Sequence, residues 1–121
     1  MSNKNTKTQA QKLARRRHQL RKVLTDDRPL MIGTVYKAHI RCGNPRCHCA
    51  TGLAHPKTLL VYKDGKKRRC KFVRLADVRW VRQAAERYGM FRRALRELRS
   101  IDSQEAHNFM VMAQERAVRY E

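Results

Sequence analysis

The chain has 121 residues, four cysteines and a formal net charge of +19. A chain this short builds only a modest core, so we expect one small domain with extensions that gains stability from a staple. It has no apolar run long enough to cross a bilayer, and its N-terminus lacks the apolar centre of a signal peptide, so we expect a cytoplasmic protein with no membrane partner.

The first part of the chain, residues 1–30, predicts a basic tail and a helix. Residues 1–7 are polar and are expected to be disordered. From about Thr8 to Leu24, apolar residues recur at helical spacing among Arg and Lys. The turn-forming sequence at 27–29 then ends this helix.

The middle part, residues 31–75, predicts a small antiparallel sheet. Its strands are expected at 33–41, 57–63 and 66–75. The dipeptide Asp64–Gly65 stands between the last two strands and is typical of a two-residue hairpin loop of type I′.

This loop sets a register for the hairpin. Leu59 is then expected opposite Cys70, and Tyr62 opposite Lys67. One face is largely apolar and holds Cys70 as a small buried thiol, and the other is largely cationic with Tyr62 in its middle. In an alternative, Leu60 and Tyr62 pack under a helix while the Lys and Arg stems reach outward.

The last part, residues 76–121, predicts one long helix or a helical pair. Its apolar residues from Val78 to Ile101 recur every three or four residues and form a stripe that must be buried. We expect this stripe to pack on the first helix, and a second copy of the chain is a further candidate partner. The sequence SIDSQE at 100–105 is expected to interrupt the helix.

A cluster of cysteines lies between the first two predicted strands, with the spacing Cys42-x4-Cys47-x-Cys49-x5-His55. Three thiolates and one imidazole are a common ligand set for structural zinc. In locally extended backbone, Cys47 and Cys49 project to one side and His48 to the other, which argues against His48 as a ligand. Because clustered cysteines in a reducing compartment favour metal binding or catalysis over disulfides, the cluster predicts a zinc site.

Cys70 is the competing fourth ligand, and the hairpin register argues against it because it places Cys70 among apolar residues. A site closed by four protein ligands has no position for a reacting water, so it is structural. The predicted fold class is therefore α+β: a three-stranded antiparallel sheet with a Cys3His zinc knuckle, flanked by an N-terminal helix and a long C-terminal helix.

The positive charge is concentrated in the first two parts of the chain. Residues 31–74 carry eleven basic residues and one acidic residue, whereas residues 75–121 carry nine and seven. Crowded like charge opposes folding, so a polyanion is the natural partner, although a solvated, soluble surface also fits. The predicted nucleic-acid contacts are Arg15, Arg16, Arg17, Arg41, Arg46, Lys66, Lys67, Arg68, Arg69 and Lys71 for phosphates, with Tyr62 stacking on an unpaired base.

The sequence RCGNPRCHCATGLAH, a Tyr-containing strand, DGKKRR, a further strand and a long helix resemble a group of small uncharacterised prokaryotic proteins. The resemblance covers about residues 33–100, and it implies a zinc site at Cys42, Cys47, Cys49 and His55. That group usually has Gly-Pro-Tyr after the histidine, where this chain has HPKTLL, so the aromatic content of the strand is lower.

No catalytic arrangement is visible in the sequence: there are no paired carboxylates, no phosphate-binding glycine loop and no Ser-His-Asp set. We therefore expect a zinc-stabilised protein that binds DNA or RNA, as an accessory subunit of a larger nucleoprotein complex. The alternative is a protein-interaction module whose C-terminal helix forms a homodimer or docks on another protein.

Overall fold

The computed structural model describes residues 2–120, and the side chains of residues 5–120. The helices are α1, Ser2–Leu24, and α2, Val78–Arg116, and the strands are β1, Thr34–Ile40, β2, His55–Asp64, and β3, Lys67–Val73. Short 3-10 helices lie at His48–Ala50 and Leu75–Asp77. This arrangement confirms the predicted α+β class. Neither helix has an apolar stretch long enough to cross a membrane within the described residues.

The helix α1 begins earlier than its sequence suggests. It includes residues from Ser2 onward, whereas residues 1–7 were expected to be disordered; Met1 lies outside the described residues. The polar composition favours disorder, but Thr6 is only 9% exposed. Burial of Thr6 supplies stability to this part of the helix that local propensity does not.

The three strands form an antiparallel sheet in the order β1-β2-β3, which leaves β1 and β3 as its edges. Pro56 lies near the start of the central strand β2, a position where a missing N–H would normally break the sheet. It is tolerated because β3 pairs with β2 only from Thr58 onward, so β2 has a single neighbour at Pro56.

The register of the β2–β3 hairpin differs from the prediction. Asp64 pairs with Lys67, so the loop is Gly65–Lys66 rather than Asp64–Gly65. Positive φ occurs at Gly65 (64°) and at no non-glycine residue of the described chain, as in a type II′ turn and unlike a type I′ turn. The change moves every partner by two residues, so Leu59 faces Phe72. An even shift leaves each side chain on its predicted face.

The packed face of the sheet is the opposite of the one first predicted, and the burial of Leu60 agrees with the alternative. Leu60 is 8% exposed, whereas Phe72 is 66% exposed and Cys70 is also exposed. The segment before β1 explains the burial of Leu60: a Cβ on Gly33 would lie 2.9 Å from Leu60 Cδ1. The same segment is held to α2, since Met31 N donates to Ala84 O at 3.0 Å. The interpretation of Cys70 as a buried thiol is therefore wrong.

The chain divides into two compact units, and α2 contributes to both. One unit contains residues 28–89, with the sheet. The other contains the chain up to Asp27 and from Met90 onward, and its core is Leu20, Ala94 and Ile101 with Leu13, Val23, Leu24 and Leu98 packed against them. This confirms that the apolar stripe of α2 packs on α1 in this unit.

The helix α2 runs without interruption through the sequence SIDSQE, which was expected to break it. Ser103 Oγ donates to Arg99 O at 3.3 Å, and Gln104 Nε2 donates to Ser100 O at 3.3 Å, so the polar side chains bond within the helix. Ile101 is 2% exposed. Burial of this residue holds the segment in helical form despite its weak propensity.

Candidate metal centre

The cysteine cluster occupies the long loop between β1 and β2. The sheet brings the ends of this loop together, because Ile40 at the end of β1 pairs with His55 at the start of β2. Cys42 therefore follows β1 by two residues, and His55 lies on the first position of β2. Residues 41–54, here called the metal loop, connect the end of β1 to the start of β2 at one end of the sheet.

Three side chains of this loop, Cys42, Cys47 and Cys49, meet the side chain of His55 at the start of β2. Their ligand atoms all lie within 4.8 Å of one another. The Sγ atoms of Cys42 and Cys49 are 3.5 Å apart, and Cys47 Sγ is 3.1 Å from His55 Nε2. In a zinc tetrahedron with Zn–S bonds of about 2.3 Å, two sulfurs stand about 3.8 Å apart. The group is thus close enough to hold a metal ion, and its donor set is consistent with zinc.

The local backbone reaches this arrangement by tight turns. Gly43 has a φ of 80°, which favours glycine. Asn44 then closes the turn, since Cys47 N donates to Asn44 O and Arg46 N to Asn44 Oδ1, both at 3.0 Å. Cys47 is extended, but Cys49 lies within the 3-10 helix His48–Ala50. The expectation of extended backbone through Cys49 is therefore wrong, although Cys47 and Cys49 still converge.

The surroundings shift the pKa values of two of the thiols in opposite directions. The backbone amide of Asn44, and then hydrogen bonds with His55, Cys49 and Cys47, lower the pKa of the Cys42 thiol to about 6. For Cys49, the amide of Cys42 favours the thiolate, but burial and the neighbouring thiols outweigh it and raise the pKa. A bound cation would relieve this crowding of thiolates, and its binding would release protons.

The two competing ligands, His48 and Cys70, lie outside the group. His48 Nδ1 is 3.8 Å from Cys47 Sγ, and its ring packs edge-on against the ring of His55 with centroids 5.0 Å apart. Cys70 pairs with Val61 within the sheet and is exposed. His48 therefore contacts the imidazole of His55 but is not one of the four converging side chains.

Arg41 has a structural contact that the sequence did not predict. Its Nη1 donates to the carbonyl oxygens of Cys49 and of Gly52, the latter at 3.0 Å. Carbonyls at the end of a short helix lack partners within it. Arg41 therefore ties the far side of the metal loop to the end of β1.

The other basic residues predicted to bind nucleic acid fall into two groups. Arg16 pairs with Glu97, and Arg17 with Asp102 and Glu105, so both are engaged within the helical unit. Arg69 Nε lies 3.4 Å from Asp64 Oδ2. The remainder are exposed, with no ion pair to any carboxylate of residues 5–120: Arg15, Arg46, Lys66, Lys67, Arg68 and Lys71.

The aromatic residues also differ from the prediction. Tyr62 is half-buried, on the same face as Leu60. Tyr36 and Phe72 are 48% and 66% exposed, on the opposite face. The alternation of strand residues places these two on a shared face, but the sequence does not say that this face is open.

A protein-family profile described as a domain of unknown function, DUF6788, matches residues 10–83. No curated protein and no solved structure shows significant similarity to the chain. The matched range includes all four residues of the candidate metal centre, the whole sheet and the start of α2. Because the match covers more than half of the sequence, the chain belongs to the DUF6788 family.

Proposed function

We propose that this protein is a small zinc-stabilised nucleic-acid-binding protein that contacts the phosphates of DNA or RNA through its β2–β3 hairpin, as an accessory subunit of a nucleoprotein complex. The observation that carries the proposal is the unneutralised charge of the hairpin. Lys66, Lys67, Arg68 and Lys71 are exposed and lack a carboxylate partner among the described residues. Uncompensated cations that crowd one small element favour a polyanion.

The charge distribution supports this location. Arg16 and Arg17 of α1 are matched by acids of α2, so the helical unit neutralises part of its own charge. The strands contain a single acid, Asp64, which is close to Arg69. Arg46 is a further exposed cation in the unit that contains the hairpin, and Arg15 is an exposed cation of the helical unit.

Zinc has a structural role in this proposal. The four ligands close the metal loop at the end of β1 and β2, which gives a small sheet a staple that its core does not provide. Cys3His leaves no open coordination position. We therefore propose no enzymatic activity for this centre.

The test is a comparison of two triple variants over a salt series. Lys66, Lys67 and Arg68 are changed to Ala in one variant. In the matched control, Arg79, Arg82 and Arg93, which are exposed on α2, are changed to Ala. Fluorescence anisotropy with labelled DNA and RNA measures the affinity.

Each lost phosphate contact lowers the slope of log affinity against log salt by about one, so the hairpin variant should lose a slope of about three and bind all sequences more weakly. The control removes the same charge and should change affinity less. Equal loss in both variants would show only a general charge effect, and an unbound parent at low salt would refute nucleic-acid binding.

A second candidate function is protein interaction through the end of α2. Phe109 and Met110 are 63% and 60% exposed, which is unusual for adjacent large apolar residues on a helix. A homodimer or another protein would cover them. Sedimentation of the parent and of a Phe109→Ser/Met110→Ser variant tests this: a dimer that the change dissociates would favour this candidate.

A further inference from the structure

The sheet face opposite Leu60 carries two exposed aromatic side chains in one row. Tyr36 on β1 pairs with Leu59 on β2, and Leu59 pairs with Phe72 on β3. Tyr36 is 48% exposed and Phe72 is 66% exposed, while Leu59 between them is half-buried. We call Tyr36 and Phe72, with Leu59 between them, the aromatic row.

Cations border the aromatic row. Strand alternation puts Lys57 and Lys63 of β2 on this face, and Lys63 pairs with Arg68 of β3 on the same face. All three are exposed. Asp64, the only acid in the strands, falls on the other face, where it approaches Arg69. The face therefore combines flat apolar rings with positive charge and carries no strand carboxylate.

We propose that the aromatic row is a stacking platform for the bases of single-stranded nucleic acid, with Lys57, Lys63 and Arg68 holding the adjacent phosphates. The inference rests on the proposed function and adds two statements: the nucleic acid is single-stranded, and the aromatic row contacts its bases. Aromatic side chains stack on bases of any sequence because every base has a π-face. Tyr62, predicted for this role, is half-buried on the opposite face.

The spacing of the rings favours a single strand over a duplex. Adjacent strands of a sheet lie about 4.8 Å apart, so Tyr36 and Phe72 stand about 10 Å apart. Stacked bases in a duplex repeat at about 3.4 Å along each strand and expose no π-face between them. A single strand can unstack and extend, which lets two of its bases reach the two rings.

Charge complementarity selects a polyanion over a second copy of the chain. A dimer through this face would place Lys57, Lys63 and Arg68 against the same residues of another molecule with a net charge of +19. Like charges brought together in this way repel. A nucleic acid covers the rings and neutralises the same cations in one contact.

The experiment replaces both rings while keeping apolar bulk, in a Tyr36→Leu/Phe72→Leu variant. The control is Tyr120→Leu, which replaces an exposed ring by leucine at a position outside the sheet. Anisotropy is measured with a labelled single-stranded oligonucleotide, its RNA equivalent and the corresponding duplex. Metal content and thermal melting confirm that the variants fold.

Loss of two stacks should weaken single-strand binding by about thirtyfold or more, since each stack is typically worth about 1–3 kcal/mol and about 1.4 kcal/mol corresponds to tenfold. Duplex affinity and the salt slope should stay unchanged because the phosphate contacts remain, and the control should match the parent. Unchanged single-strand affinity would overturn the platform while leaving the hairpin phosphate contacts standing. A parent that binds no nucleic acid would remove both proposals, and a drop in molar mass of the ring variant would make this face a dimer interface instead.

Discussion

Arg16 on α1 and Glu97 on α2 form a two-point ion pair, in which Arg16 Nη2 donates to Glu97 Oε1 at 2.8 Å and Nε donates to Oε2. Paired, parallel hydrogen bonds of this kind are among the stronger polar contacts in proteins. The hydrogen bonds from Arg16 lower the pKa of Glu97, and those to Glu97 raise the pKa of Arg16. Arg16 and Arg17 belong to a basic run that was predicted to contact nucleic acid, and in the structure both form ion pairs within the helical unit.

The ion pair predicts a pH-dependent contribution to stability. The pKa of Glu97 is lowered in the folded protein from 4.5, so the contribution is fully present above that value and is lost as the pH falls through the lower folded pKa. Glu97→Gln should reduce the melting temperature at pH 7, and the difference should shrink in acid. Glu86→Gln removes an exposed carboxylate that has no ion pair among the described residues and should show no such trend.

The candidate metal centre predicts about one zinc per chain in protein purified without added metal. Cys47→Ser should lower both the metal content and the melting temperature, because it removes a ligand and leaves the loop open. Cys70→Ser is the matched control and should retain the metal, since Cys70 lies outside the group. The reverse pattern in mass spectrometry of the native protein would reject this ligand set.

Arg41 predicts an effect on metal affinity without the loss of a ligand. Arg41→Ala removes the hydrogen bonds to the carbonyls of Cys49 and Gly52. Loss of a residue that orients ligands typically costs about 10–100-fold in metal affinity, measurable by competition with a chromogenic chelator. Arg46→Ala makes the same change at an exposed position of the same loop and should leave affinity close to that of the parent.

The core of the helical unit predicts a large cost for one truncation. Ile101 is 2% exposed, so Ile101→Ala should reduce the free energy of unfolding by about 2–5 kcal/mol in chemical denaturation. Met110→Ala, at a 60% exposed position of the same helix, should cost less than about 0.5 kcal/mol. Equal costs would mean that the stripe of α2 is not packed as described.

The four side chains of the candidate metal centre could be predicted from the sequence because they are close along the chain. Cys42 and Cys47 are separated by one turn, Cys49 lies in the short helix that follows Cys47, and pairing of β1 with β2 brings His55 back to them. The sequence could not identify the two loop residues of the hairpin. An Asp64–Gly65 loop and a Gly65–Lys66 loop each place a given strand side chain on the same face of the sheet. Hydrophobic alternation cannot distinguish two registers that differ by an even shift.

Contacts between residues far apart along the chain could not be predicted from the sequence. Which sheet face is packed depends on the path of the segment at Gly33, whose backbone lies against Leu60. The engagement of Arg17 depends on Asp102 and Glu105, which lie more than eighty residues away. Neither composition nor periodicity encodes such partners, so the sequence overestimated the free basic surface on α1 and underestimated the open aromatic face.

The position of β3 at the edge of the sheet has a consequence for handling the protein. An edge strand offers unpaired backbone groups to other strands, and charged side chains are a common protection against such aggregation. Four of the seven residues of β3 are basic: Lys67, Arg68, Arg69 and Lys71. Concentrated salt screens these charges over a few ångströms, so strand-to-strand aggregation should increase with ionic strength, and turbidity in a salt titration would follow it.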